Sequence, residues 1–152
     1  MKYTMKKNAL ISCSLILTGT ALVGRGLFTP LLKAPMAGML RFSEAHLGGT
    51  ALAVTILVLM LLSILSTVCV NRLQRVGWLC AGGAAGLCAG SMLALYRSET
   101  DQLQQIADSI GLNVADLMAQ VEYGLGLWLF CIGLALWAGG LCIAVSFKTL
   151  KG

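Results

Sequence analysis

Three features of the sequence predict an all-α membrane protein, a four-helix transmembrane bundle with both termini cytoplasmic and a short amphipathic helix in its second outer loop. Of the 152 residues, 58% are hydrophobic and 11% charged, and the mean hydropathy of +0.86 is far above that of a soluble domain. Four apolar runs are long enough, at 1.5 Å per residue, to cross a hydrocarbon core about 30 Å thick. The basic residues gather at one side of those runs. The apolar content excludes a disordered chain, and residues 1–152 read as one integral membrane domain.

The first run, 9–28, carries Arg25 near its outer end, where a long side chain can snorkel to the headgroups. With the basic stretch before it and small residues near Thr20 and Ala21, this run also fits a cleavable signal peptide. Cleavage would leave three helices and an outer amino terminus. Leu10-Ile11-Ser12-Cys13 has the letters of a lipoprotein cleavage box, but the apolar stretch ahead of Cys13 is too short to serve one.

The second and third runs, 50–70 and 76–96, contain no charge, and neither does the fourth, 123–147. Core helices of a soluble bundle show a polar face every 3.6 residues, whereas these are apolar all round. A helix satisfies its own backbone, which lipid requires. Trp78, Tyr96 and Tyr123 fall at the edges of the runs, in the headgroup layer that such residues prefer, while Trp128 and Trp137 fall deeper.

Short cytoplasmic segments are enriched in Lys and Arg. The two tails and the turn between the second and third runs hold Lys2, Lys6, Lys7, Arg72, Arg75, Lys148 and Lys151 and no acid. The other two loops hold Arg25, Lys33, Arg41 and Arg97 against Glu44, Glu99, Asp101, Asp108, Asp116 and Glu122. This places both termini in the cytoplasm and the chain in the cell (inner) membrane. The asymmetry also accounts for the net charge of +5 without invoking nucleic acid as a partner.

The third run carries the most specific pattern, Gly82, Gly86 and Gly90 at four-residue spacing with Gly83, Ala84, Ala85 and Ala89 between them. A helix face bare of side chains lets another backbone approach closely, so the pattern predicts a helix-packing interface. Its partner is open: the fourth run, with Gly133, Gly139 and Gly140, another copy, or another protein. Intramolecular packing is the simpler expectation. The six cysteines lie within or at the ends of the apolar runs with no Cys-x-x-Cys pair, as small packing residues would.

The first outer loop, 29–49, is apolar for a solvated segment: Pro30 and Pro35 interrupt any helix, and Met36, Met39 and Phe42 are candidate contacts for a partner or the bilayer surface. His46, the one histidine, stands near Glu44 and Arg41 and cannot assemble a zinc site alone. In the second outer loop, 97–122, Leu103, Ile106 and Ile110 recur at helical spacing behind a cap at Thr100 or Asp101. Gly111 ends that helix, and Asn113 can cap a second one that carries Val114, Leu117, Met118 and Val121 into the fourth run. The fourth helix is thereby expected to project from the bilayer.

No nucleophile with a nearby base, clustered carboxylate pair or phosphate-binding loop is present, so no catalytic, cofactor or metal residue is assigned and the chain reads as a non-enzyme. No run has an ionisable residue near the midplane, where transport pathways place them. The expected function is a small scaffold or accessory subunit, surrounded by membrane lipid, that binds a partner membrane protein, or itself, through the glycine face and the outer loops. The alternative is a homo-oligomer that binds or transports a lipid or apolar solute.

Overall fold

The computed structural model describes residues 2–34, 38–41, 49–68, 72–120 and 122–149. Its elements run α1 (Lys2–Phe28), β1 (Pro30–Ala34), β2 (Gly38–Arg41), α2 (Gly49–Leu62), α3 (Leu65–Val68), α4 (Arg72–Ile110), α5 (Val114–Ala119), β3 (Glu122–Tyr123) and α6 (Leu125–Thr149). Four helical segments are long and apolar enough to cross a membrane: Lys7–Phe28, Gly49–Val68, Arg72–Ile110 and Leu125–Ser146. Their outward faces are apolar too. Leu79 is 75% exposed and Trp128 62%, a surface suited to lipid rather than water.

The tightest pair is α1 against α6, and glycine makes it so. The two helices run antiparallel, with Gly26 beside Gly126, Gly19 beside Gly133 and Ser12 beside Gly140. Each set repeats every seven residues, which keeps one seam facing its partner along wrapped helices. A Cβ on Gly19 would stand 2.6 Å from the Gly133 carbonyl oxygen, and one on Gly26 would stand 2.7 Å from the Phe130 amide nitrogen. Backbone therefore meets backbone, and dispersion over that contact supplies the attraction that the hydrophobic effect cannot supply in lipid. At the terminal end the Ser12 hydroxyl donates to the Gly140 carbonyl at 2.6 Å.

The second run does not stay one helix. After Leu62 the chain turns through Ser63 and Ile64 before the single turn of α3. Ser63 is buried and donates to the Met60 carbonyl, and it accepts a hydrogen bond at 3.0 Å from Trp137 Nε1 of α6. Past the break, α3 lies on α4 where Gly77 leaves room, since a Cβ there would run into the Ser66 backbone.

One face of α4, through Gly77, Ala81, Ala84, Cys88, Ser91 and Leu95, is buried against α2 and α3. At 39 residues α4 is roughly 58 Å long, nearly twice the hydrocarbon thickness. The projecting helix is thus this third span, not the fourth. The expected separate amphipathic helix is instead its continuation, and Thr100 caps nothing, because its hydroxyl donates to the Tyr96 carbonyl within α4. Gly111 ends α4 in the left-handed conformation at φ 74°, with its amide and that of Leu112 donating to the Ala107 carbonyl. Asn113 takes the cap position of α5 without a side-chain hydrogen bond.

The chain is an all-α membrane protein by its four long apolar helices, and a small three-stranded sheet of order β2-β1-β3 is added at this end of the bundle. β1 pairs antiparallel with β2, with Lys33 opposite Met39, and with β3, with Leu32 opposite Tyr123. Gly124 follows β3 so closely against β1 that a Cβ would strike the Pro30 carbonyl, while its amide donates to the Leu31 carbonyl at 2.8 Å. The sheet ties the two long loops together and separates α5 from α6.

Candidate functional site

Gly82, Gly86 and Gly90 lie on the side of α4 turned away from α2 and α3, and a Cβ at any of the three would meet nothing within 4 Å. Of the partners the spacing leaves open, the fourth span of the same chain is not packed on them. Gly133 and Gly140 are committed to α1 instead, and Gly139 also faces open space. The chain thus holds two glycine rows of opposite fate. The seven-residue row closes α1 on α6, and the four-residue row of α4 is left bare.

Of the loop residues expected to contact a partner, Leu103 and Ile106 are taken up inside the chain. Leu103 and Ala107 form a small cluster with Leu117 of α5, and Ile106 and Val114 pack against it. Ile110 remains open at 47% exposure. Met39 lies in β2. Met36, Phe42 and His46 lie outside the described residues.

At the loop end, between α4 and the start of α6, lies a cavity of about 310 Å³. Met92 and Leu95 of α4, Leu31 of β1 and Leu127 of α6 form its apolar floor. Tyr96, Glu99, Thr100 and Leu103 from α4, Met118 from α5 and Tyr123 from β3 complete the lining. The cavity exists because the sheet and α5 hold the projecting end of α4 over the start of α6. Partial burial raises the Glu99 carboxyl above its usual pKa. Among the described residues no cation pairs with that carboxylate.

In the sequence Tyr96 and Tyr123 stand as edge aromatics and Glu99 as one of six dispersed acids of the long loops, and no spacing marks that they meet. The signal for the α1–α6 seam was present, as Ser12, Gly19, Gly26 and Gly126, Gly133, Gly140 recur at spacing seven in two distant segments. Among the described residues no three His, Cys, Asp or Glu side chains come together as a metal site. Cys13 contacts the Thr67 hydroxyl at 3.2 Å, and Cys13, Cys80, Cys88, Cys131 and Cys142 are free thiols. No protein-family model, curated protein or solved structure matches the chain.

Proposed function

We propose that this protein is an accessory subunit, a small four-span scaffold that docks a transmembrane helix of a partner membrane protein on the Gly82, Gly86 and Gly90 face of α4. The observation that carries the reading is the contrast between the two glycine rows. Where glycine recurs on α1 and α6 the chain places a backbone against it, and where it recurs on α4 nothing lies within 4 Å. A helix in lipid gains little from baring its backbone unless another helix fills the space, since glycine lowers helix propensity by about 1 kcal/mol relative to alanine.

The basic residues at the termini and at Arg72 and Arg75, against the acids of the two long loops, favour a cytoplasmic position for both termini and insertion in the inner membrane. Exposed Ile110 then offers a further contact outside the bilayer. The test is gentle detergent extraction from the native host, with mass spectrometry of co-purifying protein and lipid for the natural chain and for Gly86→Ile. A stoichiometric second protein, lost in Gly86→Ile while the variant remains folded, is the expected result. A partner retained by Gly86→Ile, or a chain that purifies alone, overturns it.

A further inference from the structure

The cavity between α4 and the start of α6 has a mostly apolar lining that holds a single acid. Along α4 the lining runs from the apolar floor at Met92 through Tyr96 and Glu99 to Leu103, with Tyr123 and Leu127 among the residues supplied by the other elements. Since uncharged residues 76–96 form the membrane-crossing part of α4, Glu99 lies just beyond the hydrocarbon and the tyrosines lie at the headgroup layer. The cavity is therefore apolar along most of its length, with one acid, Glu99, placed near the membrane boundary.

We propose that this cavity binds a single-chain amphiphile with a cationic head, an alkylammonium, whose head sits against Glu99 and the rings of Tyr96 and Tyr123 and whose chain lies along Met92 and Leu127. Charge complementarity selects the head. The Glu99 carboxylate is partly withdrawn from water with no described cation beside it, so a bound ammonium supplies the opposite charge and a bound anion adds a like one. Tyr96 and Tyr123 line the same cavity as the carboxylate, and aromatic rings attract a quaternary ammonium, which has no N–H to donate and is held by ring quadrupoles. Volume selects the tail. At about 310 Å³ the cavity is at the small end of ligand pockets and suits a head with part of one chain, not the two chains of a phospholipid. This proposal does not rest on the accessory-subunit reading, because the open glycine row contributes nothing to the cavity.

The test is native mass spectrometry of the full chain released from maltoside micelles and titrated with dodecyltrimethylammonium, with dodecyl sulfate as the anionic amphiphile of equal chain length. The expected result is saturable binding of one cation per chain, weakened by about tenfold or more in Glu99→Gln, the loss of a single charge contact. Dodecyl sulfate should fail to compete. Met92→Trp, which fills the floor while leaving Glu99 in place, should also abolish binding, and Gly86→Ala should leave it unchanged. Equal binding by Glu99→Gln, or equal competition by dodecyl sulfate, would overturn the proposal and leave only a site for acyl chains. Glu99→Gln keeps the test decisive should Met92→Trp fail to fold.

Discussion

Gly19 and Gly133 face each other across the α1–α6 seam so closely that a Cβ on Gly19 would lie 2.6 Å from the Gly133 carbonyl oxygen and equally near the Trp137 amide nitrogen. Backbone on both sides leaves no flexible side chain to yield. Gly19→Ala should therefore force the helices apart and lower stability by about 2 kcal/mol or more, toward the upper end of overpacking effects. Gly86→Ala should act in the opposite sense. With nothing within 4 Å, its methyl adds only helix propensity, a gain of up to about 1 kcal/mol for the isolated chain. Thermal unfolding in maltoside micelles, followed by circular dichroism, reads both signs, and equal midpoints for the two variants would contradict the packing described.

Trp137 and Ser63 form the polar lock at the broken second span. Ser63→Ala removes the acceptor at 3.0 Å and leaves a buried indole N–H without it, so it should destabilise by about 1–3 kcal/mol. Trp137→Phe leaves the serine hydroxyl its Met60 carbonyl, so its loss comes from the lost hydrogen bond and the reduced packing area. In a double-mutant cycle the coupling between the two should fall near 1 kcal/mol, within the range found for hydrogen bonds between membrane helices. A coupling of zero would mean that the break at Ser63 is held by packing alone.

The four apolar runs were legible because length and absence of charge are local properties, and no tertiary contact changes them. The glycine pattern of α4 was legible as a pattern but not as a place. Spacing marks a bare face, and only the three-dimensional arrangement shows that α4 turns Ala81, Ala84 and Cys88, not Gly82, Gly86 and Gly90, toward the bundle. The strands were hidden for a different reason. β3 is two residues long, and its pairing with Leu32 and Lys33 joins segments about ninety residues apart, beyond any periodicity argument. The cavity depends on that pairing, so Glu99 could not be separated from the other acids by sequence alone.

Glu99 gives the fold a pH dependence of definite sign. Burial raises its carboxyl pKa above the ordinary value of 4.5, so between those two values the folded chain holds a proton that the unfolded chain has released. The associated stability is fully present below the ordinary value and is lost as pH rises through the folded one. Glu99→Gln should accordingly be more stable than the natural chain at neutral pH, with the difference shrinking as pH falls through the raised folded value and gone once pH is below about 4.5. Unfolding midpoints of the two proteins across that window would show it, and parallel pH profiles would refute it.

Gly111 joins the projecting end of α4 to α5 with φ at 74°, a conformation that a Cβ makes unfavourable by roughly 1–2 kcal/mol. There is no neighbour within 4 Å to clash with, so the penalty of Gly111→Ala is purely conformational. Asparagine, which enters this region more readily than other residues, should recover part of it. Because Leu117 reaches the Leu103 and Ala107 cluster only when this turn is made, the strain should appear as loosening of α5 with the membrane helices intact. Hydrogen exchange is the direct readout. Amides of 114–119 should exchange faster in Gly111→Ala than in the natural chain, with Gly111→Asn between them, while amides of α1 and α6 remain unchanged. Met118 lines the cavity, so the same variant should also weaken alkylammonium binding without touching Glu99. Unchanged exchange in α5 would mean that the turn does not hold α5 in place.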